Sequence, residues 1–160
     1  MDMDCGFSKG NRYFRYRTGG ILVHEGKMLF VKSACGGYCY MIGGAVSLGE
    51  TSRECVVREV YEESGIRARP ERLAVVCENF FRGRDGSIRG KDCHTLEFYY
   101  VLSADTVGDC RTENDEGEEL VWVPVEEVKT LFVKPSFIAE RIDEILSGDS
   151  VMHVIEERDR

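Results

Sequence analysis

Residues 44–66 read GAVSLGETSRECVVREVYEESGI, and the fold is decided within them. Thr51-Ser52-Arg53-Glu54 has the form of a capping box, with Thr at the cap and Glu three residues on. Residues 52–64 contain neither Gly nor Pro, and Gly65 supplies a left-handed stop, so a helix is predicted over 52–64. At about 100° per residue, with Glu59 at zero, Glu62 falls near −60° and Glu63 near +40°. Val56, Val60, Val57 and Tyr61 take the next arc and would pack on a sheet. The three carboxylates therefore border the buried face.

Two readings of that stripe stay open on physical grounds. It is either a solvated acidic surface or a site for a divalent cation. Like charges at i,i+3 and i,i+4 destabilise a helix by about 0.2–0.5 kcal/mol per pair. Clustered carboxylate oxygens are also the ligands that Mg²⁺ or Mn²⁺ requires.

Outward from the helix, Gly20–His24 and Lys27–Val31 are β-prone runs joined by Glu25-Gly26, a two-residue hairpin. A glycine-rich loop fills 33–49. Residues 73–77, 93–102 and 120–123 read as strands, the second apolar on both faces and hence central. Pro135-Ser136 opens a helix whose inner side carries Phe137, Ile138, Ile142, Ile145 and Leu146, closed by Gly148. The first dozen residues lack periodicity and are expected to be mobile. The rest, 13–160, is expected to form one α/β domain.

The chain has 160 residues, 42% of them hydrophobic, which suits a globular domain and excludes a disordered one. No apolar run is long enough for a membrane-spanning helix, and no secretory leader is visible, so a cytoplasmic location and no membrane partner are expected. The net charge of −8 argues against a polymeric nucleic acid as partner. The negative charge is concentrated in 50–65 and after residue 100. Seven cysteines, an odd number, read as reduced thiols, with Cys55, Cys77 and Cys93 as core residues.

Gly44, Glu50, Arg58, Glu59, Val60, Glu62, Glu63, Gly65 and Ile66 occupy every fixed position of the Nudix box. Over residues 19–146 the chain resembles the Nudix hydrolases (MutT-like). The resemblance implies an α/β/α sandwich around a mixed β-sheet and cleavage of the diphosphate bond in a nucleoside diphosphate linked to a group X. Candidate substrates are of the nucleotide-sugar or ADP-ribose type, or of the (d)NTP type. It implies that Glu59, Glu62 and Glu63, with the carbonyl of Gly43, bind Mg²⁺ or Mn²⁺. Arg58 would orient the glutamates, with Glu54 and Glu62 in reach, and Glu50 would support the loop–helix junction.

Relatives differ over the general base: Glu59 is one candidate, and Glu116 or Glu119 of the later acidic loop another. Glu97 and Glu78 lie on strands that can face the site. Phe80, Arg82 and Arg84 are substrate-binding candidates, with Arg89 and Lys91 in the same basic loop. Tyr13, Phe14, Tyr16, Tyr38, Tyr40 and Phe81 are further stacking candidates. Many relatives carry proline where this chain has Ile42, so the loop is expected to be less rigid. The short motifs that mark substrate subclasses are absent. The competing reading is a catalytically silent nucleotide sensor or binding module, and a homodimer is in keeping with the resemblance.

Overall fold

The computed structural model describes residues 3–157. Its centre is a mixed sheet built on three long strands, β2 (Arg12–His24), β6 (Arg69–Arg82) and β7 (Asp92–Ser103). β1 (Gly6–Lys9), β3 (Lys27–Lys32), β4 (Cys39–Tyr40), β5 (Gly43–Ala45), β8 (Glu119–Pro124) and β9 (Met152–Glu157) complete it. The order runs β4-β3-β2-β7-β6-β9, with β1 and β5 also on β2 and β8 on β3. The β2–β7 and β6–β9 pairs are parallel and the other pairs antiparallel.

Helices cover both faces. Successive strand residues point to opposite sides, so Leu22, Leu29 and Leu102 meet Val56 and Val60 of α1 (Ser52–Ser64). Ile21, Met28, Phe30 and Tyr99 meet Phe137 of α2 (Phe137–Glu140) and Ile142 of α3 (Ile142–Ser147). The α/β sandwich read from the sequence is thus present.

α1 begins and ends where expected. Thr51 and Glu54 form the reciprocal capping box, and Gly65 (φ 80°) closes the helix with its N–H on Tyr61 O. Glu25 (φ 49°) and Gly26 (φ 77°) make the two-residue hairpin turn.

Three features differ from the sequence reading. Of the first dozen residues, 1 and 2 lie outside the described ones; Gly6–Lys9 pair with Arg12–Arg15 in a hairpin, and Cys5 N–H donates to Val46 O. Backbone pairing holds this stretch without needing a hydrophobic period. The helix after Pro135 is two helices, broken at Arg141 (φ −117°, ψ 21°). β9 has only six residues and sits at the sheet edge, so its half-polar sequence gave little strand signal.

Candidate active site

α1 is seated on the sheet by polar contacts. Ser52 and Tyr100 share a 2.7 Å hydrogen bond, and Thr18 Oγ1 donates to Cys55 Sγ at 3.3 Å. This places the acidic stripe beside β5, at the mouth of a cavity of about 350 Å³. Its acidic lining is Glu59, Glu62 and Glu63 from α1, Asp115 and Glu116 from the loop before β8, and Asp4. Arg15 and Arg17 of β2 also line it, together with Tyr40, Asn114 and residues 43–45.

Arg58 organises the stripe. Nε and Nη2 donate to the two oxygens of Glu50 at 2.7 and 2.9 Å, and Nη1 donates to Glu59 at 2.8 Å and Glu62 at 3.2 Å. Hydrogen bonds from Arg58 hold the Glu50 carboxyl below its ordinary range, and Glu50 in turn raises Arg58. Glu50 also accepts from Ser47 N–H at 2.9 Å, tying the loop to the helix. Glu54 is spent on the capping box, so of the two glutamates in reach only Glu62 meets Arg58.

Glu59 lies against the loop backbone. A Cβ on Gly44 would fall 2.3 Å from Glu59 Cδ, so only glycine leaves room for this carboxylate. Burial raises the Glu59 carboxyl, with Arg58 opposing. Burial, and then the charge of Glu59, pushes the Glu63 carboxyl up to about 8. Glu63 Oε2 is sealed from solvent and accepts no hydrogen bond. An orphaned buried carboxylate oxygen beside a second carboxylate is the environment that a hard cation relieves. Among the described residues, no three carboxylate, imidazole or thiol groups already converge on one point. Arg58 occupies one oxygen each of Glu59 and Glu62, while the oxygen-only donor set suits Mg²⁺ or Mn²⁺.

The acidic loop divides its members. Asn114, buried, accepts the N–H groups of Glu116 and Glu118 at 3.0 and 2.9 Å and thereby sets the turn. Glu118 is anchored by Tyr40 Oη–H and by Ala34 N–H. Glu116 is left lining the cavity, whereas Glu119 is turned to Lys32 on the outside of the β3–β8 pair.

Several sequence candidates lie elsewhere. Phe80, Arg82 and Arg84 are not part of the cavity lining. Phe80 stacks on His94 at 4.3 Å, and Arg82 pairs with Asp92 at 2.8 Å. Both project from the α1 side of the sheet, because strand alternation puts them opposite Asn79 and Glu97. Arg84 sits in the loop beyond, with Arg89 and Lys91. Glu78 pairs with His153 at 2.7 Å on that same side. Glu97 is 2% exposed and does not reach the cavity; it accepts from Asn79, Thr95 and Tyr99. Of the stacking candidates only Tyr40 lines the cavity.

Arg15 and Arg17 escaped the sequence reading. The alternation Tyr13-Phe14-Arg15-Tyr16-Arg17 carried the signal, since it places both arginines on one face of a strand.

A model of the NUDIX domain matches residues 14–144. The chain belongs to the NUDIX family. It is 40% identical over 65 residues to a MutT-like protein of Streptomyces ambofaciens, covering 40% of this chain and 42% of that one. The chain thus matches under half the length of that relative. Among solved structures, a MutT protein from Bacillus halodurans superposes with a TM-score of 0.66 at 19% identity, covering 91% of this NUDIX chain and 92% of the other. An ADP-ribose pyrophosphatase from Streptococcus suis gives 0.59 at 14% identity, covering 89% and 98%. These structural likenesses concern the fold. No helix among the described residues is long and apolar enough to cross a membrane.

Proposed function

We propose that this chain hydrolyses the pyrophosphate bond of a small nucleotide, with Mg²⁺ or Mn²⁺ as cofactor. The observation that carries the reading is the orphaned Glu63 Oε2 beside Glu59, inside a cavity that also presents two arginines. Glu59, Glu62 and Glu63 would hold the cation, with the Gly43 carbonyl beside them. When bound, such an ion neutralises phosphate oxygens and lowers the pKa of a coordinated water.

The protein's own part is positioning and proton transfer. Arg58 fixes the rotamers of Glu59 and Glu62 through one guanidinium, while Glu50 fixes Arg58. Glu116, which lines the cavity next to the Asn114 turn, would accept a proton from water attacking phosphorus. Glu59 is the other candidate base, although Arg58 already holds its Oε1. The resemblance and the named neighbours support substrates of the form nucleoside diphosphate–X, including ADP-ribose, nucleotide sugars and (d)NTPs.

The test is product analysis with dNTPs, ADP-ribose, nucleotide sugars and dinucleoside polyphosphates, each with Mg²⁺ and with Mn²⁺. Release of a nucleoside monophosphate from at least one substrate, abolished by EDTA, is expected. If no substrate yields product, the chain is a binding module.

A further inference from the structure

The sheet side of the cavity presents charge that the glutamates leave unused. Arg15 and Arg17 both line the cavity, two residues apart on one face of β2. Among the described residues neither guanidinium makes a hydrogen bond or an ion pair. The Nε of Arg17 is sealed from solvent without a partner. An unsatisfied buried donor on a charged group is costly and marks a missing acceptor.

The surroundings keep this cation in place without consuming its donors. Arg17 is the register partner of Glu97 across the parallel β2–β7 pair. Glu97 accepts from Thr95, Asn79 and Tyr99 and from no Arg17 donor, so its charge acts on Arg17 through space. Burial alone would lower Arg17, but Glu97 and Tyr99 outweigh it and the guanidinium is held above its ordinary pKa. Arg15 is lowered by burial and by the charge of Arg17. Two like charges side by side with open donors are relieved by one anion that bridges them.

We propose that Arg15 and Arg17 form an anion subsite that takes a phosphoryl group of the ligand directly, without a metal ion between. The subsite would give the acidic cavity of a net-acidic chain a way to recognise phosphate. The proposal rests on the pyrophosphate-hydrolase reading only for the identity of the natural ligand. The alternative is that the arginines merely balance the carboxylates around them.

The two are separated by calorimetric titration of inorganic pyrophosphate in EDTA, which involves neither metal nor turnover. The full-length chain carries Glu59→Gln and Glu63→Gln, which removes repulsion from those carboxylates. One pyrophosphate per chain is expected to bind. Adding Arg15→Gln or Arg17→Gln should each weaken binding about tenfold, and both together about a hundredfold. The charge-matched pair Arg53→Gln and Arg141→Gln, on the outer surface, should change it by less than about threefold. Melting curves on every variant establish that it is folded. Folded arginine variants that bind pyrophosphate as tightly as their parent would overturn the subsite, as would an equal loss in the surface pair. Hydrolysis by the unaltered chain is decided by the substrate panel, so failure of either reading is seen separately.

Discussion

The β2–β7–β6 sheet has two faces that differ by a single step along each strand. On one face Phe14, His94 and Phe80 form a ladder, with ring centroids 5.5 and 4.3 Å apart. On the other, Arg15, Arg17, Thr95, Glu97 and Asn79 form a polar sheet surface continuous with the cavity. The aromatic face continues the surface on which α1 packs, with Phe14 and Phe80 half-buried and His94 exposed, so ring contacts define it. The charged face has to satisfy every group individually, because an unmatched buried charge costs far more than an unfilled apolar contact. The cavity and the unpaired Arg17 Nε therefore lie with the charged face, although the aromatic face looks more like a base-stacking platform in sequence.

Two glutamates, one on each face, should differ most in activity. Glu63→Gln, on the cavity, should reduce metal-dependent hydrolysis by roughly a hundredfold or more, since even groups that only support metal ligands are worth about 10–100-fold. Glu78→Gln, on the aromatic face, should leave kcat/KM within about twofold. Equal losses would erase the functional distinction between the faces.

The two faces should also differ in what a lost carboxylate costs the fold. Glu97→Gln strands donors that now share one carboxylate, and urea unfolding should show a loss of about 2–3 kcal/mol. Glu78→Gln, in a partly exposed pair with His153, should cost less than about 0.5 kcal/mol. A Glu97 variant as stable as the parent would show that the polar network is not a structural element.

The third test uses pH on the metal-free protein. Folded Glu63 keeps its proton up to about pH 8, whereas the unfolded chain releases it near 4.5. The folded state binds the extra proton between those values, so this contribution is present below 4.5 and lost as pH rises through 8. Relative to Glu63→Gln, the parent in EDTA should lose about 1–2 kcal/mol between pH 5 and 8.5, discounted for the solvent that still reaches the carboxylate. A difference that does not change with pH would show that Glu63 does not retain its proton in the folded state.

The smallest effect belongs to Arg82→Gln. The Arg82–Asp92 pair is half-exposed on both sides, so its loss should cost no more than about 1 kcal/mol and less in high salt. Hydrolysis should be unchanged. A large loss of activity would return the substrate to the basic hairpin loop.

What was legible in the sequence was local. The capping box, the Gly65 stop and the Glu25-Gly26 turn each depend on a few neighbouring residues, and each appears as read. The acidic stripe was legible for the same reason, because helical spacing alone fixes which carboxylates share a side. The roles of Phe80, Arg82, Arg15 and Arg17 were not, because strand parity says that neighbours face opposite ways without saying which way faces the site. That choice is made by the α1 seat on Cys55 and Ser52, and by the parallel register of β2 on β7, both long-range. Residues 6–9 were missed because backbone pairing needs no sequence period. Glu97 reads in the sequence as a strand carboxylate able to face the site, but its three donors come from Asn79 on β6 and from Thr95 and Tyr99 on β7.

The missing side chain at Gly44 has a consequence for variation in this chain. Loop and helix share one small volume there, and the carboxylate of Glu59 fills it. An added methyl at 44 would meet only the mobile end of the Glu59 side chain, so alanine there would turn this carboxylate out of the gap and away from Arg58. Position 44, fifteen residues before Glu59, thus sets where that carboxylate comes to rest without touching the helix backbone.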